Sequence, residues 1–204
     1  MENEVIHAGL SSLRARARVA MIAIYVVIAF NVVRAAVSLA DLFGLIALQA
    51  LPSQAYVDAF QVLEFGSLAA FYASAIAISF WIYRAHKNLF DAGYGGLEFS
   101  PGWSIGWFFV PIASLYMPYK AMREAWNVSL VGKVDGASQG RPLLAVWWSS
   151  YLVGNIADLI TAATGGFEFI SRVAMIISAW SLGVIIRRIT AGQDIAQRLS
   201  QTFA

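Results

Sequence analysis

The chain has no cysteine, two histidines and five prolines, and only 13% of its 204 residues are charged. Without cysteine there is no disulfide, thiolate nucleophile, Cys-ligated zinc or iron–sulfur site. Two imidazoles, His7 and His86, leave no multi-histidine metal centre within one chain. Lys and Arg number 14 against 12 Asp and Glu, a formal net charge of +2. The basic residues sit beside apolar segments, which orients a membrane protein and does not indicate nucleic acid. No cofactor is expected. What the chain has in abundance is apolar surface: 59% hydrophobic residues and a mean hydropathy of +0.66. That lies outside the range of soluble domains, so the chain is expected to be an integral membrane protein.

Apolar runs and charge place the spans. Residues 1–18 form a basic segment in which Gly9 to Arg18 suggests a short interfacial helix. A first span follows at about 19–40. Arg14, Arg16 and Arg18 before an apolar run imitate a signal peptide, but the run is long and contains Asn31 and Arg34, so it reads as uncleaved. The connection from Asp41 to Asp58 has no Lys or Arg, which marks a non-cytoplasmic loop and puts the N-terminus inside. A second span at 59–83 carries Ala69, Ala73 and Ala77 at i, i+4, spacing that suits close helix packing. Two further spans are expected at 143–163 and 167–186, joined by the turn Thr164-Gly165-Gly166, with a tail at 189–204.

Between the second and third of these lies FSPGWSIGWFFVPIASLYMPYK, residues 99–120, apolar enough to enter a bilayer yet basic on both flanks. Arg84 and Lys87 precede it, and Lys120, Arg123, Lys133 and Arg141 follow. That pattern predicts entry and return on one side. Ser100 is a suitable N-cap with Pro101 at the first helical position. Pro111 breaks the segment near its middle, giving arms at 101–110 and 112–118 and freed backbone groups that protein or water must satisfy. Gly102 and Gly106 form a GxxxG pair suited to close packing. From Pro118 an interfacial helix over 118–130 is expected, with Met122 and Trp126 on one face.

The fold class is therefore an all-α polytopic membrane bundle, with a membrane domain over 19–188 made of four spans plus the Pro-broken re-entrant segment. The alternative makes that segment a fifth span. Trp81, Trp103, Trp107, Trp126, Trp147 and Trp148 are expected near the cytoplasmic interface.

The residues from Arg84 to Trp126 carry a composite pattern. It comprises Arg84 with Lys87-Asn88-Leu89, Gly96-Leu97, FSPGW at 99–103, Gly106-Trp107, FVP at 109–111, Pro118-Tyr119, Met122-Arg123-Glu124 and Trp126. In this the chain resembles the bacterial membrane-protein family known as domain of unknown function 4328, departing from it at Ser114-Leu115, where Asn usually precedes Leu. The resemblance extends weakly to Gln193. It implies a polytopic bacterial membrane protein and no established activity, and the expected location is the cytoplasmic (inner) membrane.

Ionisable residues within spans are costly and mark candidate sites. Arg34, Glu64, Asp158 and Arg172, with Asn31, Asn155 and Glu168, share one layer in the four-span arrangement, because Arg34 and Asp158 each lie about 22–24 Å along their helices. One reading makes this layer the neck of an ion or solute pathway. The other pairs Arg34 with Glu64 and Asp158 with Arg172 to neutralise charge and lock helices. The motif residues Pro101, Gly102, Trp103, Gly106, Trp107, Pro111 and Pro118 line a cavity or form a kinked helix. Arg84, His86, Lys87, Lys120 and Arg123 suit anionic lipid headgroups, or simply set orientation.

No catalytic grouping is evident. A lipid-modifying enzyme would need His86 to converge with Glu98 or Glu124. The expected function is that of a non-enzymatic scaffold, partner or envelope component, working with the bilayer and either as a homo-oligomer or with another membrane protein. A small channel or transporter is the alternative.

Overall fold

The computed structural model describes residues 2–45, 54–134, 141–164 and 166–202, which are helical throughout with short connections and contain no strand. The helices are α1 (Glu2–Leu42), α2 (Gln54–Asp91), α3 (Trp103–Gly106), α4 (Met117–Val131), α5 (Arg141–Thr164) and α6 (Glu168–Thr202). Parts of α1, α2, α5 and α6 are long and apolar enough to cross a bilayer. The protein is a multi-pass membrane protein.

Regular helix runs past the expected span limits. The basic N-terminal segment is not a separate interfacial helix but the first turns of α1, and the expected tail continues α6 to Thr202. At 1.5 Å per residue, the 41 residues of α1 reach about 60 Å, twice the hydrocarbon thickness. The surplus has a purpose at the end carrying both termini. There Leu10, Leu13, Trp81, Ala85, Met122, Trp126, Ile185 and Ile189 form a tightly packed core. Trp81, Trp126, Trp147 and Trp148 are buried in this core, whereas Trp103 is exposed.

Glycines set where helices stop and cross. α1 ends in a left-handed Gly44, with Leu45 N–H bonded to Ala40 O at 2.9 Å and Gly44 N–H to Asp41 O at 2.9 Å. At the α4–α6 crossing, a Cβ on Gly192 would sit 2.5 Å from the Ser129 carbonyl oxygen. Gln193 beside it donates to Ala85 O and Ser129 Oγ, both at 3.1 Å, and accepts from Asn88 Nδ2 at 3.0 Å. Trp81 Nε1 donates to Thr190 Oγ1 at 3.1 Å. Three helices are thus joined by amide and hydroxyl bonds inside an apolar core, where each unmade bond would cost about 1–3 kcal/mol.

Away from that end the packing opens. α1 packs extensively against α2 and α6, and α6 against α5, while α2 and α5 have no comparable packing. The order across the bundle is α2, α1, α6, α5, with a cleft left between the outer two helices. Ala69 and Ala73 face outward on α2, so the small-residue ladder makes no close helix contact within the chain. The turn at Gly165, much of the Asp41–Asp58 connection and the loop glycines 136 and 140 lie outside the described residues.

The Gly192 crossing is directly testable. Gly192→Ala should destabilise the protein by about 1–3 kcal/mol, because the opposing atom is backbone and cannot rotate away. Thermal unfolding in mild detergent, followed by circular dichroism, reads this, and an unchanged midpoint would refute the close crossing.

Candidate functional site: a charge layer, a cleft and a strained tip

At the end opposite the termini, the four long helices each bring a polar side chain to one layer. Arg34 of α1 reaches Glu64 of α2 at 2.7 Å and Glu168 of α6 at 2.8 Å. Its Nη1 also donates to Ser67 Oγ at 2.9 Å. Arg172 of α6 pairs with Asp158 of α5 and donates to Asn31 Oδ1 of α1 at 3.4 Å. Glu168 Oε1 lies 4.0 Å from Arg172 Nε, within ion-pair range but beyond a hydrogen bond.

Both pairs anticipated from the sequence are present, and Glu168 links them. Arg34–Glu64 closes the α1–α2 hairpin and Asp158–Arg172 the α5–α6 hairpin, while Arg34–Glu168 and Arg172–Asn31 join the two hairpins. Asn155 stands apart and donates to the carbonyl of Tyr151 at 2.7 Å. Ser67 was not anticipated; one turn from an intramembrane acid on a helix, it is well placed to serve an arginine's spare donors.

The guanidinium side chains of Arg34 and Arg172 are each 12% exposed, against 37% for Glu64, 38% for Asp158 and 29% for Glu168. The cations are therefore more deeply buried than the acids, although Arg34 and Arg172 line the neighbouring cleft as Glu64 and Asp158 do. Three carboxylates against two guanidinium groups leave the layer formally one charge negative. It borders the α2–α5 cleft, a cavity of about 1230 Å³ whose walls include Phe65, Phe71, Tyr72, Phe108, Trp148 and Tyr151.

The other end of the cleft is closed by the FSPGW–FVP segment. No part of it spans: regular helix is limited to the four residues of α3, followed by 3₁₀ turns at Trp107–Phe109 and Ala113–Leu115. The two expected helical arms are thus mostly turns, and the fifth-span alternative is removed. Ser100 caps as its sequence context suggests, its Oγ accepting the Trp103 N–H at 3.3 Å. Gly102 faces open space and Gly106 meets only the Trp103 ring of its own helix, so this GxxxG packs against no neighbour.

At Pro111-Ile112-Ala113 the backbone makes a γ-turn: Ile112 has φ 66° and ψ −52°, and Ala113 N–H bonds to Pro111 O at 2.7 Å. Positive φ at a β-branched residue costs of order 1–3 kcal/mol. The strained residue is 85% exposed, with Phe109 81% exposed beside it. Around the tip, backbone amides of Ser114, Leu115 and Tyr116 bond to Val110, Ile112 and Ala113 carbonyls, and Trp148 Nε1 donates to Leu115 O at 2.8 Å. Those bonds satisfy the irregular backbone within the chain itself.

Glu124 of α4 holds the segment's start. Its carboxylate accepts the backbone N–H of Glu98 at 2.6 Å and of Phe99 at 3.2 Å. This clamp ties FSPGW to the Met122-Arg123-Glu124 motif, which gives their co-occurrence a physical basis. The segment from 47 to 196 matches the model of the family described as domain of unknown function, DUF4328. The chain belongs to the DUF4328 family. No curated protein and no solved structure shows significant similarity to it. Within this DUF4328 protein, other elements of the shared pattern serve similar joints: Arg84 Nε donates to Gly9 O at 3.2 Å, and Asn88 engages Gln193.

Of the basic residues expected to form a lipid patch, His86 is buried while Arg84, Lys87 and Lys120 each approach an acid. His86 is 1% exposed, its ring nitrogens facing the carbonyls of Ile82 at 3.1 Å and Ala121 at 3.3 Å. Arg84 and Lys87 both approach Asp91, and Lys120 lies 3.4 Å from Glu98. His86 and Glu124 are each engaged with backbone, so they do not converge on a headgroup pocket. Among the described residues no group of three or more His, Asp or Glu suits a metal ion.

Burial pushes the Glu124 carboxyl above its ordinary value of 4.5, opposed by the two amide bonds and reinforced by the nearby Glu98 charge. The folded state then holds a proton that the unfolded chain has released. The Glu124 contribution to stability therefore falls as pH rises from 4.5 through the raised folded value. Glu124→Gln should remove this component, so wild type should lose stability relative to the variant across that window in pH-resolved thermal melts. A wild-type advantage that grows with pH would contradict burial as the dominant influence.

Proposed function

We infer that this is a non-enzymatic protein of the bacterial cytoplasmic membrane, with its N-terminus inside, serving as a scaffold or partner within an envelope assembly. The observation that carries the reading is the charge layer: the intramembrane ions are used on one another, in pairs that bind all four long helices together. The bilayer is the first partner, its anionic lipids meeting the basic residues at the end bearing the termini, and a second copy or another membrane protein is the next. The FVP tip re-enters the membrane from that same side, a reading supported by its exposed Phe109 and Ile112 and its locally satisfied backbone.

A second reading, a small channel or transporter, draws support from the cleft that runs to the acidic layer. The two readings separate cleanly. Under the scaffold reading, Arg172→Leu should cost about 2 kcal/mol, less than a fully buried pair because Asp158 is more than a third exposed. Adding Asp158→Leu should recover much of that loss. Purified protein in liposomes should show no conductance or uptake above protein-free controls across a broad ion panel. Flux abolished by these substitutions would replace the scaffold reading with the transport one.

Orientation has its own test. A cysteine at Lys133 in this cysteine-free chain should be labelled only from the cytoplasmic side, and external labelling would reject both the re-entrant reading and the assigned orientation.

A further inference from the structure

Where α1 packs on α6, a groove on a different face from the α2–α5 cleft combines one arginine with apolar walls and no acid. Its walls include Met21, Tyr25 and Ile28 of α1 and Trp180, Val184 and Arg187 of α6. Gly183 keeps the two helices close along it, since a Cβ there would sit 3.2 Å from Met21 Cε. Tyr25 and Trp180 are exposed along the groove, as lipid-facing aromatics are. Arg187 directly follows the last expected span, 167–186, and so stands at headgroup depth. Trp180 lies about 10 Å deeper, among the acyl chains. Arg18 directly precedes the first expected span, 19–40, and is exposed two turns before Tyr25 on the same face of α1.

Arg187 is positioned without being neutralised. Its guanidinium donates to the Tyr25 hydroxyl and lies 6.0 Å from the centroid of the Tyr25 ring. A phenol takes one N–H and contributes no negative charge, which leaves the other donors of the fork to an anion. Among the described residues neither Arg187 nor Arg18 lies within ion-pair range of an acid, whereas Arg14, Arg84, Lys87 and Lys120 at the same end each do. The charge layer satisfies its cations internally, and this groove does not.

That difference selects the ligand. A phosphate at headgroup depth can accept from Arg187, while a chain running inward lies against Ile28, Val184 and the Trp180 ring. A zwitterionic head would bring its cationic group to a groove that no carboxylate lines. A net-anionic head has no such group to leave unpaired. We propose that the α1–α6 groove is a binding site for one anionic phospholipid, its phosphate on Arg187, its head toward Arg18 and one acyl chain along the groove. The site rests on the reading that anionic lipids meet the basic end of the molecule, and gives that contact a single place.

The full chain in detergent micelles is titrated with phosphatidylglycerol or phosphatidylcholine of identical chains, and native mass spectrometry reads the first bound lipid. Wild type should bind phosphatidylglycerol about tenfold more tightly than phosphatidylcholine. Arg187→Gln should weaken phosphatidylglycerol binding about tenfold and bring the preference below about twofold. Tyr25→Phe keeps the net charge and the ring but removes the hydroxyl that positions Arg187, so it should weaken binding about threefold, which diffuse surface charge would not produce. Lys133→Gln, an equal loss of charge away from the groove, should change binding by less than about twofold. Inorganic phosphate at equal concentration should not displace the lipid, and full displacement would reduce the site to an ion site without a chain. Absence of any phosphatidylglycerol preference in wild type would remove the broader anionic-lipid reading together with this one. A preference that Arg187→Gln and Tyr25→Phe alter no more than Lys133→Gln would leave that reading standing and overturn the groove as its site.

Discussion

A charge carried into hydrocarbon has to be neutralised where it stands, and in this bundle that constraint decides how the helices are ordered. Arg34 is the pivotal case. Its planar fork takes Glu64 on one side and Glu168 on the other, so α1 is bound to both α2 and α6 through one side chain. Arg172 does the same for α5 and α1 through Asp158 and Asn31. With only two cations available, each has to serve more than one helix. Removing either would leave acids facing acids, so the layer behaves as one unit and not as separable pairs.

The two ends of the molecule are held by different physics. At the end bearing the termini, helices extended beyond bilayer length bury large side chains with α4 and use Gln193, Asn88 and Thr190 to fix their relative positions. Toward the charge layer, apolar side chains face lipid or the cleft, and lipid offers no hydrophobic drive to bring helices together. Glu124 mediates between the ends. By holding the amides of Glu98 and Phe99 it anchors one side of the FSPGW–FVP segment, while Trp148 holds the other at Leu115. Strain at Ile112 is sustained because both shoulders of the turn are fixed.

Much of this was legible in the sequence because it rests on strong, local signals. Long apolar runs gave the four spans, Pro111 gave the break, and rare intramembrane charges at matched depths gave the pairs Arg34–Glu64 and Asp158–Arg172. The bridge through Glu168 was less legible, since its partner lies 134 residues away and helix rotation decides whether they meet. The basic N-terminal segment looks interfacial because its arginines adjoin an apolar run, whereas it continues α1 and places Leu10 and Leu13 in one core with Met122 and Trp126. Tryptophans suggested an interface by their amphipathic character, while the burial of Trp81, Trp126, Trp147 and Trp148 in one core is a choice that tertiary contacts make. The joints at Gln193, Asn88 and Glu124 left only a weak trace, as polar residues amid apolar helix, because their roles depend on which backbone groups happen to be free.

The sparse packing between α2 and α5 has a mechanical consequence. Two hairpins whose main seam is α1 against α6 form a hinge whose pin is that seam. At the end bearing the termini the hinge is clasped by α4 and the amide bonds around Gln193, so relative rotation has to open the jaws most widely near the charge layer. The contacts crossing the seam there, Arg34 to Glu168 and Arg172 to Asn31, then act as stays that limit the angle. Whatever fills the gap between α2 and α5 sets the aperture, and its size is transmitted along the seam to the face where α4 and both termini lie.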